Sequence, residues 1–222
     1  GGGGRVRGDA PPGQVEQWFC DGAYSLVATY GGYGGKDTHT ACILITADSQ
    51  AVLENENYKQ TREMTSERMA DDLRNFGFPQ TLVDIAARAD RTFEVGVHFH
   101  NPLVPWSNPS GRCVLLGDSA HAMPPFLGQG ANQGIQDALC LTQQLEKVGG
   151  RYATVSDALK AYEQKRKFQT TKLAFNSWFL GALETREGIG AQFRNTFFNV
   201  MGKVGVVRKV FLDGATPVGV DL

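Results

Sequence analysis

The 222-residue chain has almost no net charge, with 22 Lys and Arg against 23 Asp and Glu. Without a basic excess it lacks the electrostatic footprint of a protein that binds nucleic acid or an anionic membrane surface. No apolar run approaches the roughly 20 residues needed to cross a bilayer. Cys20, Cys42, Cys113 and Cys140 are scattered, with no paired metal-type spacing. Cys113 and Cys140 have apolar neighbours, so buried reduced thiols are expected, which suits a cytoplasmic or organelle-stroma setting. There is no internal repeat and no low-complexity stretch beyond the glycines. The chain starts Gly1-Gly-Gly-Gly rather than with Met, so it reads as a fragment in which a targeting peptide would go unseen.

Hydrophobic residues make up 41% of the chain, enough for a sizeable core. After a glycine-rich start through Gly13, residues 24–30 and 40–46 are β-branched and aromatic runs separated by glycines, which predicts a hairpin. Met64, Met69, Leu73 and Phe76 recur at helical spacing behind Thr65 or Ser66 as a cap, and a short helix follows Pro79. Residues 92–100 read as a strand, and residues 113–116 as a continuous apolar strand covered on both faces. A helix from about Ala131 places Ile135, Ala138, Leu139, Thr142 and Leu145 on one face and stops before Gly149. Thr154-Val-Ser-Asp157 has the form of a capping box that opens a long helix. A final helix pair follows Gly188 and carries Phe193, Phe197, Phe198 and residues 204–207.

The chemistry is concentrated in residues 111–137. Asp118 stands at the end of a strand, where an ionised carboxylate needs hydrogen-bond donors, and sugar-like hydroxyls are suitable ones. Gly117 permits a sharp turn there, Pro124 and Pro125 stiffen the loop, and Gly128 and Gly130 allow backbone to approach a flat ligand. The helix starting at Ala131-Asn132 presents unpaired N–H groups and a positive dipole end, which stabilise negative charge on a ligand edge.

This run, Gly-Arg-x-x-Leu-x-Gly-Asp-x-Ala-His-x-x-Pro-Pro-x-x-Gly-x-Gly-x-Asn, resembles the second FAD fingerprint of the flavoprotein monooxygenases of the aromatic-hydroxylase type. That family includes 4-hydroxybenzoate, salicylate and kynurenine hydroxylases and zeaxanthin epoxidases. A weaker resemblance runs from about Trp18 to the C-terminus, including residues 101–106 and the helix at 158–166. The resemblance implies that Asp118 binds the ribityl hydroxyls of FAD and that Pro125 lies against the flavin ring. It also implies that the backbone of Gly130, Ala131 and Asn132 faces the pyrimidine edge, with Gly117, Pro124 and Gly128 shaping the site. His121 is read as a structural member that holds the loop. In the family NAD(P)H reduces FAD, and one atom of O2 then passes to an aromatic ring or alkene of a small-molecule substrate. The cofactor carries that chemistry, so no catalytic acid or base is dictated.

The family's other fingerprint, G-x-G-x-x-G, has no match. Gly32, Gly34 and Gly35 come near, but Asp37 fills the third required position. Asp21-Gly22-Ala-Tyr-Ser25 is similar to the family's Asp-Gly-x-x-Ser motif and is read as a turn ahead of the hairpin. His98 and His100 share one face of their strand, either toward a substrate cavity or on a solvent-facing edge; no third ligand makes them a metal site. Trp106, Phe126 and Leu127 suit either a substrate pocket or a core, and Lys160, Lys165, Arg166 and Lys167 read as a solvated helix face.

The expected fold is α/β: an α+β substrate-domain sheet at 1–110, an FAD-binding, Rossmann-like strand-loop-helix at 111–150 and C-terminal helices at 151–222. The expected function is FAD- and NAD(P)H-dependent hydroxylation or epoxidation. Two other readings stand beside it: a non-catalytic flavin-binding or interaction module, and a related FAD-dependent oxidoreductase that does not oxygenate.

Overall fold

A computed structural model of the chain describes residues 15–31, 38–46, 62–95, 97, 99–101, 103–203, 212 and 216–218. The fold is mixed α/β and divides into two compact units. The first comprises Gly1–Gly96 and Leu183–Thr196, the second Val97–Ala182 and Phe197–Leu222.

In the first unit, strands β1 (Val15–Cys20), β2 (Ala23–Gly31) and β3 (Thr38–Thr46) form an antiparallel sheet in that order. The β2–β3 pairing is the predicted hairpin; β1 was not anticipated, because Gln17 and Cys20 interrupt its apolar pattern. Asp21-Gly22 is a turn as predicted, and it joins β1 to β2 with Cys20 opposite Ala23.

Helix α1 (Ser66–Asn75) is capped by Thr65, whose hydroxyl accepts from the Arg68 N–H at 3.2 Å. Helix α2 (Gln80–Ala87) starts directly after Pro79. The apolar faces of both helices, Met69, Ala70 and Leu73 with Leu82, Val83, Ile85 and Ala86, cluster with Ala23 and Val27 of the sheet. Each of the larger side chains contributes roughly 1.5–3 kcal/mol through burial.

The predicted strand at 92–100 is much shorter. Among the described residues of that stretch only β5 (Phe93–Glu94) forms, paired with β4 (Arg62–Glu63). A strand extends no further than its ladder, and beyond it Val95 and Phe99 are exposed.

The second unit departs from expectation at residues 113–116. Val114 makes a single antiparallel bridge with Ser107, while Leu115, Leu116 and Cys113 are exposed. Among the described residues no second strand pairs with this segment, so neither the two-sided cover nor the buried Cys113 thiol is found. Cys140 is buried, beside Trp106, Ala120 and Tyr162.

A one-turn helix α3 (Asp118–His121), a 3-10 turn at Pro125–Leu127 and helix α4 (Gly130–Leu145) follow. Helix α5 (Val155–Glu184) opens on the predicted capping box, with Thr154 Oγ1 donating to Asp157 Oδ2 at 2.8 Å and accepting from the Asp157 N–H at 3.3 Å. Helix α6 (Ile189–Lys203) stands where a helix pair was expected; residues 204–207 lie outside the described residues.

One helix face is the reverse of that predicted, and one residue of another departs from its prediction. On α4, Ile135, Leu139 and Leu145 are exposed, and Gln133, Gln136, Asp137, Cys140 and Gln144 are buried. On α5, Arg166 is fully buried rather than solvated, because it pairs with Asp137. No helix among the described residues is long and apolar enough to cross a membrane.

Candidate functional site

The site is built on the connection from Val114 to α4. Gly117 has φ 59°, a conformation that costs a side chain, so glycine suits the start of α3. A Cβ there would meet the Gly134 Cα at an ordinary 3.8 Å, so the backbone angle rather than crowding selects the residue. Asp118 follows and is exposed, not shut in at the end of a covered strand. Its Oδ1 lies 3.7 Å from where a Cβ on Gly130 would stand, so the carboxylate faces the first turn of α4. The N-cap residue of α4, Gln129, makes no side-chain cap hydrogen bond. Acceptor oxygens on Asp118 and first-turn N–H groups thus sit side by side. A ligand with hydroxyls at one point and a carbonyl-bearing or anionic edge beside it satisfies both.

The loop between these two elements is pinned from below. The Ser177 hydroxyl donates to the Pro124 carbonyl at 2.5 Å, and the His100 N–H donates to the Ala122 carbonyl at 2.9 Å. The Phe126 ring occupies the space a side chain at position 181 would take, so a Cβ on Gly181 would run into it. Pro125 and Gly128 are exposed on the outer side.

Under the loop lies a buried ionic cluster. Asp137 Oδ2 accepts from the Gly117 N–H at 2.9 Å and from His121 Nε2 at 2.5 Å, and Oδ1 accepts from Arg166 Nε at 2.8 Å. Burial alone would raise the Asp137 carboxyl, but the hydrogen bonds from His121, Arg166 and Gly117 outweigh it and hold it below its ordinary value. The Arg166 guanidinium also donates to Gln133 Oε1 at 2.6 Å, Gln136 Oε1 at 3.0 Å and the Val218 carbonyl at 2.5 Å. Tilted ring contacts continue the cluster, with Trp106 centred 5.3 Å from His121 and 5.7 Å from Tyr162.

The structure therefore brings Gly117, Asp118, Pro124, Pro125, Gly128, Gly130, Ala131 and Asn132 into one connection, with His100 at its edge through Ala122. Phe126, Leu127 and Trp106 are buried. His98 lies outside the described residues, as do Gly32, Gly34, Gly35 and Asp37. Asp137 was not singled out from the sequence, and Arg166 was read there as part of a solvated face. Their signal was there: Gln133, Asp137, Cys140 and Gln144 recur at i, i+4, i+7 and i+11, a second stripe beside the apolar one.

Comparison with known proteins decides the family. The FAD binding domain family matches residues 47–177, more than half of the chain. The chain belongs to that family. Kynurenine 3-monooxygenase from Debaryomyces hansenii is 34% identical over 104 residues, covering 46% of this chain and 21% of that protein. Salicylate hydroxylase from Pseudomonas putida is 38% identical over 73 residues, 33% of this chain and 17% of that protein. The solved structure of Klebsiella pneumoniae HpxO complexed with FAD and uric acid superposes with a TM-score of 0.67 at 15% identity, covering 92% of this chain and 48% of that chain. The chain thus spans about half the length of that flavoprotein and a smaller share of its curated relatives.

Proposed function

We propose that this chain is the flavin-ring portion of an FAD- and NAD(P)H-dependent monooxygenase acting on an aromatic or alkene small molecule. The observation that carries the reading is the exposed Asp118 carboxylate facing Gly130 at the uncapped start of α4. Asp118 accepts from ribityl hydroxyls, and the N–H groups of Gly130, Ala131 and Asn132 stabilise the pyrimidine edge, where negative charge collects on reduction. Pro125, held by the anchored Pro124 carbonyl, presents a rigid apolar face to the ring. Gly117 and Gly128 shape the turns on either side, and residues 111–150 form the functional segment between the 1–110 and 151–222 portions. His98, His100 and Phe126 are the substrate-side candidates.

FAD held by Asp118 and the first turn of α4 would supply the redox chemistry that couples NAD(P)H oxidation to the reduction of O2. The balanced reaction consumes substrate, O2, NAD(P)H and a proton, and gives oxygenated product, NAD(P)+ and water. The names of the kynurenine and salicylate relatives support an aromatic substrate. The test is flavin binding and NAD(P)H oxidation by the intact protein with candidate phenols and carotenoids, scored by oxygenated product. Asp118→Ala should weaken FAD binding roughly 10- to 100-fold, the loss expected for hydrogen bonds to a charged group. NAD(P)H oxidation that yields only peroxide with every substrate would overturn oxygen insertion in favour of a plain FAD-dependent oxidoreductase.

A further inference from the structure

We propose that Asp137 is a positioning residue for the flavin loop, its carboxylate fixing the one helical turn that carries Asp118. The inference rests on the reading of Asp118 as an FAD ligand. Helix α3 is four residues long, and a single turn has no stability of its own. Its two ends are gripped by one carboxylate oxygen: Asp137 Oδ2 holds the Gly117 N–H at 2.9 Å before the turn and His121 Nε2 at 2.5 Å at its end. Asp118 lies between these two grips.

The chemistry requires an aspartate at 137. Three donors converge on it, the third being Arg166 Nε on Oδ1 at 2.8 Å, and only an ionised carboxylate offers acceptors on both oxygens. Asn would turn an N–H2 group toward at least one of those donors. The charge is tolerable because Arg166, itself fully buried, neutralises it. His121 contributes geometry rather than proton transfer to a ligand. Its Nε2–H is directed at Asp137, and its Nδ1 is buried with no hydrogen-bond partner among the described residues. The His121 ring is further fixed by Trp106.

The test compares variants of the intact protein by FAD titration and by amide hydrogen exchange across residues 117–122. Asp137→Asn should bind FAD at least about 10-fold more weakly and exchange the Gly117 amide at least about 10-fold faster in the flavin-free protein. Thr154→Ala, which loses the α5 cap in the same unit, should lower thermal stability while leaving FAD affinity within about twofold. A folded Asp137→Asn that binds FAD like the wild type, beside a weakened Asp118→Ala, overturns this inference alone. An unweakened Asp118→Ala overturns the Asp118 reading and this one with it. Should Asp137→Asn not fold, His121→Asn removes one grip while leaving Arg166 and Gly117 on Asp137. Roughly 10-fold weaker FAD binding is then expected, and unchanged binding overturns the proposal. An unprotected Gly117 amide in the flavin-free wild type overturns it as well.

Discussion

At the scale of single residues, two glutamates in opposite surroundings give opposite responses to pH. Glu184 is buried, and its Oε2 has no hydrogen-bond partner among the described residues. Burial raises its pKa to about 8, with Arg194 pulling the other way. A raised acid stabilises the fold below its ordinary value of 4.5, and that contribution is lost as pH rises toward about 8. Glu184→Gln should therefore be nearly neutral at pH 5 and stabilising by roughly 1–3 kcal/mol at pH 8; urea unfolding at the two pH values measures it. Glu163 behaves in reverse. Burial would raise it, but the Ser107 hydroxyl at 2.5 Å, backbone N–H groups and Lys167 hold it at about 2. Its contribution is present above 4.5 and fades as pH falls toward 2. Glu163→Gln should cost about 1–3 kcal/mol at pH 7 and flatten the acid limb of the stability curve. Neither environment could be read from composition, since each depends on which atoms the fold brings alongside.

At the scale of elements, the helices whose caps and apolar residues agree were legible in full. Thr65 with Met69 and Leu73, Pro79 with Leu82 and Val83, and Thr154 with Asp157 each specify a helix locally, and each helix forms there. The strands at 92–100 and 113–116 were not legible, because a strand is realised only where another backbone lies beside it. Helix α4 shows a different limit. Its period was read correctly, but which of two stripes faces inward depends on partners far along the chain: Arg166 for Asp137, and the Tyr152 hydroxyl, which donates to Gln144 Oε1 at 2.9 Å. A substitution pair separates the faces. Ile135→Lys should change stability by no more than about 0.5 kcal/mol, as for an exposed site. Gln144→Leu should cost about 1–3 kcal/mol by stranding the Tyr152 hydroxyl. Thermal unfolding of both variants checks the assignment. The 117–132 connection, by contrast, was legible in residue order, as an acidic turn, a Pro-Gly loop and a helix start, and the structure adds the clamp beneath it.

For the whole molecule, the division into two units cuts across chain order. The sheet and α1–α2 unit needs Leu183–Thr196, where Arg194 donates to the carbonyls of Cys20 and Glu184 at 2.8 and 2.9 Å and the Gly188 N–H donates to Asp21 at 2.7 Å. Arg194→Ala should therefore destabilise the sheet bearing Trp18 by about 2–4 kcal/mol, visible as earlier loss of near-ultraviolet dichroism on heating. No local signal in residues 15–46 announces a dependence on position 194. Helix α5, about 45 Å long at 1.5 Å per residue, carries the chain from the second unit into the residues that complete the first. On the ribosome, that order of chain segments has a consequence. Strands β1 and β2 must wait, with the Asp21 turn unanchored, until Gly188 and Arg194 have emerged and reached them, at elongation rates of about 5–20 residues per second. Strands made well before their anchor are secured late, and for those seconds the apolar residues of the sheet are open to a chaperone.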